Sequence, residues 1–335
     1  MPSSAVPARR VTAAMVAERA GTSIATVSLV VNGKDRGRVS APIASRVRDA
    51  VDELGYVVDH AASSLARGTG DLVVLIAPDL SNPFFAEVIR GVRDTLGDRY
   101  QLVLSVTERG AQPSTADLRR FERLRPAGIL VDAPAAGESL DASVPVVLLD
   151  APDAPESAVT VDYDLSPGID ELVAHLREQG HEHVVYLDGT ARVATFGIRH
   201  RMFDGACAAA GITVSELGAR ADLTVDAAAA ATEHAIEAWH EDGVTAVVAA
   251  ADTLAYGVLR VAGAMGLRVP EDLAVAGFDD LPSSSVTAPA LTSVALPGAE
   301  LGRAAALRLL AALDGTAVEP VALPARLVRR ASTGG

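Results

Sequence analysis

From Asp71 onward, short β-branched runs alternate with amphipathic stretches, and that alternation leaves few folds open. The runs lie at 72–77, 101–106, 129–131, 144–149, 183–187, 245–250 and 273–277. Between them, 84–96, 165–179, 227–240 and 254–265 carry apolar residues at helical spacing. Strands alternating with helices of this length build parallel sheets covered on both faces. The runs are too many for one comfortable sheet. The expected fold is therefore two doubly wound α/β subdomains, with a ligand cleft at the carboxyl ends of the strands.

Composition narrows the class further. Of 335 residues, 49% are hydrophobic and 21% charged, so the chain can fill real cores and is neither disordered nor fibrous. The single cysteine, Cys207, excludes a disulfide framework or a cysteine zinc site. No uncharged apolar stretch approaches the ~18 residues of a membrane span, and no apolar segment follows Arg9 and Arg10 as in an export signal. A cytoplasmic protein without a membrane partner is expected. The net charge of −14 is unevenly spread: residues 1–70 carry nine Lys+Arg against six Asp+Glu, and the rest is strongly acidic. A small basic module is thus fused to a large acidic one.

The basic module reads as short helices. Thr12 can cap a helix ending at Ala20, with Val16, Ala17 and Ala20 on one face and Gly21 in the left-handed position after it. Ser23 can cap a second helix over 24–31, closed by Asn32-Gly33. Ser40 opens a third, with Pro42 in its first turn, a stripe of Val47, Ala50, Val51 and Leu54, and Gly55 as its stop. Two short helices joined through Ala20-Gly21-Thr22-Ser23 fit a helix-turn-helix or a generic helical hairpin.

The wording of the chain goes beyond spacing. VTAAMVAERAGTSIATVSLVVNGK, followed by RVSAPIASRVRDAVDELGY, resembles the head of the lactose-repressor (LacI/GalR) family of bacterial transcription regulators. VLIAPDLSNPFFAEVIRGV, VPVVLLD, GHEHVVYLDG, AGFDDLPSSSVTAPALTSV and PARLVRRASTGG resemble that family's core in order, so the likeness spans about 11–334. The resemblance implies a helix-turn-helix domain over 11–58, a hinge helix and linker over 59–70, and an effector-binding and dimerisation core over 71–335, similar to periplasmic sugar-binding proteins. It also implies a homodimer on a palindromic double-stranded operator, a small sugar-like effector, no cofactor and no enzymatic activity.

The DNA surface implied is Thr12, Ser23, Ile24, Ala25, Thr26, Ser28, Leu29, Asn32, Lys34 and Arg36, with Ala62 and Leu65 in the hinge. Family members usually have Thr-Val-Ser-Arg-Val where this chain has Thr26-Val27-Ser28-Leu29-Val30. An arginine there would read guanine, whereas Leu29 either packs inward or reads thymine methyls together with Ile24 and Ala25. Thr26 and Ser28 are expected on phosphates, and Lys34, Arg36 and Arg38 supply the charge that an apolar reading helix needs. Leu65 of AASSLARG stands where the family places its minor-groove wedge, although the run alone reads as a linker.

The implied effector contacts are Phe84, Phe85, Asp150, Thr195, Arg199, Asp252 and Asp279. One of the two adjacent phenylalanines should pack inward and the other stack on the ligand. Asp150 ends VPVVLLD and can take sugar hydroxyls or cap a turn. Arg199, in the run beginning at Thr195, offers a fork for vicinal hydroxyls or a carboxylate. Ala251 replaces the family's asparagine before Asp252, and Leu223 an aromatic, so the cleft should be less polar than a hexose site. Arg201 and Asp280 read as surface and turn residues, Cys207 and Trp239 as core, and His181/His183 as a pair without a third metal ligand. No G-x-G-x-x-G follows a strand and no Walker spacing or nucleophile elbow occurs, which argues against a dehydrogenase, kinase or hydrolase. Two alternatives stay open: a repressor that needs a purine or other corepressor, and a sugar-binding protein without a DNA role.

Overall fold

The computed structural model describes residues 11–31, 33, 35–56, 70–77, 80, 82–107, 111–135, 142–190 and 194–334. The chain divides into two compact units, Met1–Gly70 and Asp71–Gly335. Among the described residues, no single helix is long and apolar enough to cross a membrane.

The first unit contains α1 (Ala13–Ala20), α2 (Ile24–Val31) and α3 (Ala41–Leu54). The Thr12 hydroxyl accepts from the Met15 N–H, which satisfies one of the free donors of the first turn. Gly21 ends α1 at φ 63°, and the chain bends by 101° into α2. Val16, Ala17 and Ala20 of α1, Val27 and Val30 of α2, and Ala44, Val47 and Ala50 of α3 meet in one small core. The helical periodicity of valine and alanine is enough to set this packing.

The second unit holds two sheets. The first has the order β12-β5-β4-β3-β1-β2, from β1 (Leu72–Ala77), β2 (Gln101–Val106), β3 (Gly128–Asp132), β4 (Val146–Leu149), β5 (Thr160–Asp164) and β12 (Val321–Pro324), all parallel. The second runs β13-β11-β10-β9-β6-β7, with β8 also on β6; its strands are β6 (His183–Gly189), β7 (Thr213–Val214), β8 (Ala219–Ala221), β9 (Ala246–Ala249), β10 (Ala274–Asp279), β11 (Thr292–Ala295) and the antiparallel β13 (Arg326–Val328). Helices α4 (Phe84–Leu96), α5 (Thr115–Glu122) and α10 (Gly298–Leu313) serve the first subdomain. Helices α6 (Ser166–Glu178), α7 (Ala194–Ala210), α8 (Val225–Glu241) and α9 (Asp252–Met265) serve the second. In both sheets the first strand lies inside the order rather than at its edge, so the winding reverses there and opens a crevice at the carboxyl ends. The chain crosses between subdomains three times: after β5, after β11, and between β12 and β13, where the Ala325 N–H donates to the Asp164 carbonyl at 2.8 Å.

The seven sequence runs correspond to β1, β2, β3, β4, β6, β9 and β10. The strands that the runs do not include are β5, β7, β8, β11, β12 and β13, which are short, polar or marginal to their sheets.

Helices α4 and α10 touch backbone to backbone through two glycines. A Cβ on Gly302 would stand 2.1 Å from the Val88 carbonyl oxygen, and one on Gly91 would stand 2.1 Å from that of Ala299. Gly205, midway along α7, has nothing within 4 Å of a Cβ. Gly302→Ala should therefore lower unfolding stability by ~1–3 kcal/mol or more, by prising the helices apart. Gly205→Ala should be neutral or stabilising by up to ~1 kcal/mol. Urea unfolding of the full chain checks both signs.

Candidate functional site

In the first unit, α2 turns Val27 and Val30 inward and leaves Ile24, Ala25 and Ser28 on the solvent side. Ile24 is 55% exposed at the front of the helix. Leu29 is half-buried and lies between the two faces. The Ser23 hydroxyl accepts from the Thr26 N–H at 3.1 Å and pairs with the Thr26 hydroxyl at 2.9 Å, so both help to cap the helix. Thr12 is exposed at the start of α1. Arg36 and Arg38 are exposed in the turn after α2, where Asp35 is held by Arg48 at 2.6 Å. Asn32, Lys34, Ala62 and Leu65, and most of the predicted hinge, lie outside the described residues.

In the second unit, strand ends supply the cleft. Residues at or just past the ends of β3, β4 and β10 take left-handed backbone without being glycine: Ala133 (φ 41°), Asp150 (φ 48°), Asp279 (φ 103°) and Asp280 (φ 52°). Such conformations cost about 1–3 kcal/mol each and gather where structure serves a site. Arg199 reaches the same region from α7. Its Nη1 donates to the Ala250 carbonyl at 3.0 Å and to Asp279 Oδ1 at 3.3 Å. Its guanidinium carbon lies 5.6 Å from the ring centroids of both Phe196 and Phe278. From the other subdomain, the Asn82 side chain lies near Asp279 and helps to hold its carboxyl down. Gln112, Ala133 and Asp150 line the opening together with Thr195 of α7.

Electrostatics mark this place. Burial pushes the Asp150 and Asp279 carboxyls up to about 6, with the Arg199 charge pulling each back down. Asp132, at the end of β3, is raised by burial and by its neighbour Asp150. The Tyr163 phenol of β5 is raised by burial and by the same carboxylates. Five buried side-chain polar atoms have no partner among the described residues. Three of them, Asp132 Oδ1, Tyr163 OH and Arg199 Nε, belong to this cleft. A buried polar group without a partner costs about 1–3 kcal/mol, and here acceptor, hydroxyl and donor are gathered in one place.

The cleft thus brings together Asp150, Thr195, Arg199 and Asp279 among the predicted residues. Phe84 is buried against Gly298 and Tyr163, whereas Phe85, at 5.6 Å edge-to-face on Phe84, is half-buried. Asp252 stands apart. It is fully buried, and Oδ2 accepts from the Leu281 N–H at 2.8 Å and the Ser284 hydroxyl at 2.5 Å, while Oδ1 meets the Ser293 hydroxyl at 2.6 Å. Ser293 in turn accepts from the Asp280 N–H at 3.0 Å. Asp252 thereby fastens the left-handed turn that carries Asp279. Asp280 pairs with Arg330 at 2.7 Å, Arg201 is exposed, and Leu223 is half-buried against the core. Cys207 is buried and its thiol pushed up to about 12 by burial. His181 meets Thr245 at 2.9 Å and His183 faces Asp242 at 3.3 Å.

Asp132, Tyr163 and Asn82 are cleft residues that the sequence reading does not include. Asp132 has a usable signal, because GILVD repeats the strand-then-acid pattern of VVLLD.

Residues 12–59 match the model of the bacterial regulatory proteins of the lacI family, and residues 173–333 match a periplasmic binding protein-like domain. The chain is 33% identical to the HTH-type transcriptional regulator CelR of Thermobifida fusca, over 94% of this chain and 95% of that one. A solved CelR–cellobiose complex superposes with a TM-score of 0.69 at 30% identity, covering 96% of this chain and all of the other. The lac repressor dimer bound to operator and the anti-inducer ONPF superposes with a TM-score of 0.81 at 26% identity, covering 97% and 99%.

The Asp252 environment makes a testable statement about pH. Burial holds this carboxyl up at about 8 against an ordinary value of 3.8. Between those limits the folded protein keeps a proton that the unfolded chain gives up, so stability should fall as pH rises through that window. An asparagine at this position could keep the bonds to Leu281 and Ser293 without titrating. In urea unfolding between about pH 5 and 7.5, Asp252→Asn should flatten the decline, by at most ~1.4 kcal/mol per pH unit. An unchanged slope would mean that Asp252 is ionised in the native protein.

Proposed function

The chain belongs to the lacI family of bacterial regulatory proteins, and from that premise we propose that it is a cytoplasmic repressor that holds a palindromic operator as a homodimer until a neutral sugar enters the cleft. It is a DNA-binding, effector-responsive transcription regulator and not an enzyme.

The observation that carries the effector reading is the trio of unpartnered buried atoms: Asp132 Oδ1, the Tyr163 hydroxyl oxygen and Arg199 Nε. A sugar hydroxyl both donates and accepts, so neighbouring hydroxyls can satisfy carboxylate and guanidinium at once. Asp150 and Asp279 extend the acceptor side, Thr195 adds a hydroxyl, and Phe85 offers an apolar wall. Asp252 acts by holding the Asp279 turn in place. Three carboxylates against one guanidinium disfavour a phosphorylated or acidic effector, which would add charge to a site already rich in it. The CelR relative binds cellobiose in its solved complex, in keeping with a neutral sugar.

On the DNA side, the exposed front of α2 is apolar. Ile24, Ala25 and Leu29 suit the methyls of thymine, while Thr12, Ser23, Thr26, Ser28, Asn32, Lys34 and Arg36 address the backbone. Ala62 and Leu65 of the hinge are proposed for the minor groove at the centre of the site. Cleft closure biases the pairing of the two hinges, so effector and operator compete through the dimer.

Two measurements bear on this. A thermal-shift screen of the full chain against neutral sugars, polyols, nucleobases and sugar phosphates should pick out a neutral sugar. Arg199→Ala should then weaken its binding by roughly 10- to 100-fold, the loss of a charged hydrogen bond of ~1.5–3 kcal/mol, with unliganded operator affinity retained. Operator DNA should weaken effector binding by the same factor, roughly 5- to 150-fold, by which effector weakens operator binding. Tighter effector binding on operator would make the ligand a corepressor. Independently, Leu29→Arg should change the preferred half-site in selection from random DNA, toward guanine. An unchanged preference would remove Leu29 from the reading surface.

A further inference from the structure

The second subdomain has another concavity that shares no lining residue with the effector cleft. It lies between α7, the edge of β6, and the loop that joins β7 to β8. Asp188 of β6, Asp204 of α7 and Glu216 of the loop face it, together with His200 and Arg220. Arg220 is already engaged, donating to the Gly189 carbonyl at 2.8 Å and lying 3.6 Å from Asp188. The two ring nitrogens of His200 stand 3.6 Å from Asp188 and from Asp204, too far for hydrogen bonds. Three carboxylates therefore face one occupied guanidinium and an imidazole that bonds neither acid.

The floor of this groove contains a second and independent sign of a ligand. Tyr186 is 1% exposed, lines the groove, stacks on His200 at 4.3 Å, and its hydroxyl has no partner among the described residues. Burial of a tyrosine normally brings its hydroxyl a partner. Beside it, Ile212, Val214 and Ala219 present apolar surface. Acceptors at the rim, an unpaired hydroxyl in the floor and aliphatic walls between them match a chain of methylenes ending in an ammonium group, which brings three donors and one positive charge.

We propose that this groove is a binding site for a small organic cation of the protonated alkylamine class. The ammonium sits among Asp188, Asp204 and Glu216 and reaches the Tyr186 hydroxyl, and the methylenes lie along Ile212 and Val214. The site does not depend on the identity of the effector. It shares α7 with the cleft, since His200 follows Arg199 in the chain, so occupancy of one bears on the other.

The protein carries its own reporter. Trp239 is the only tryptophan, and its indole N–H donates to the Leu217 carbonyl at 2.8 Å, within the loop that walls the groove. Titrating the full chain with 1,4-diaminobutane, up to about 10 mM, should give a saturable change in Trp239 emission matched by heat in calorimetry. Butanol and butyrate should give neither. The double variant Asp204→Asn, Glu216→Gln, both exposed positions, should weaken binding at least about 10-fold, and Tyr186→Phe about 3- to 10-fold. Should Tyr186→Phe fail to fold, the exposed pair alone decides. Absence of both heat and emission change, equal binding of butyrate, or unaltered affinity in the double variant would overturn the proposal.

Discussion

A guanidinium that is 5% exposed must be answered by charge, and Arg199 is answered by Asp279 at 3.3 Å. The rest of the core is arranged so that this pair can exist. Phe196 and Phe278 flank the guanidinium and exclude water, which strengthens the pair and raises the cost of every donor left over. Asp279 can meet it only because β10 ends in a left-handed turn, and that turn is secured by Asp252 and Ser293 from two other elements. The pair is also incomplete. Nε of Arg199 has no partner, and the nearby Asp132 and Tyr163 are in the same condition. The protein thus keeps in its interior a set of polar groups that only an added polar molecule can satisfy together, and stability withheld in this way is available as binding energy.

Much of this could be read from the chain, for identifiable reasons. β1 and β9 are runs of Val, Ile, Leu and Ala because both faces of a parallel sheet are covered, and no polar residue interrupts them. α1 declares itself by Thr12 before it and Gly21 after it. β5 escapes the same reasoning because TVDYD interleaves acids with apolar residues, and Asp162 and Tyr163 sit beside Asp150 of the cleft. Function displaced the apolar pattern there. Asp252 shows the opposite failure. An acid at a strand end looks the same in sequence whether it lines the cleft or turns inward, as Asp150 and Asp252 do respectively. What separates them is Ser284 and Ser293, about 30 and 40 residues away, and no local pattern carries that information.

The head illustrates how small a core can fix a reading surface. Eight buried side chains, all valine or alanine, orient α2 so that its apolar front faces outward. Ile24 is exposed there, where the proposed DNA contact would use it. With no arginine at the front of this helix, the proposed reading rests discrimination on shape and methyl contact, and affinity on the cations that follow it.

The first and third crossings between the subdomains are tied by the bond from Ala325 to Asp164, and the second lies beside the third where Ala295 pairs with Arg326. Three cords joined in this way should resist twisting and sliding more than bending, which favours relative motion of the two halves along a single angle. A molecule in the cleft can then communicate only one quantity, the value of that angle. The polarity of regulation in such a device is a matter of where the angle rests when the cleft is empty, which could change through a few hinge-side contacts while the contacting residues stay as they are.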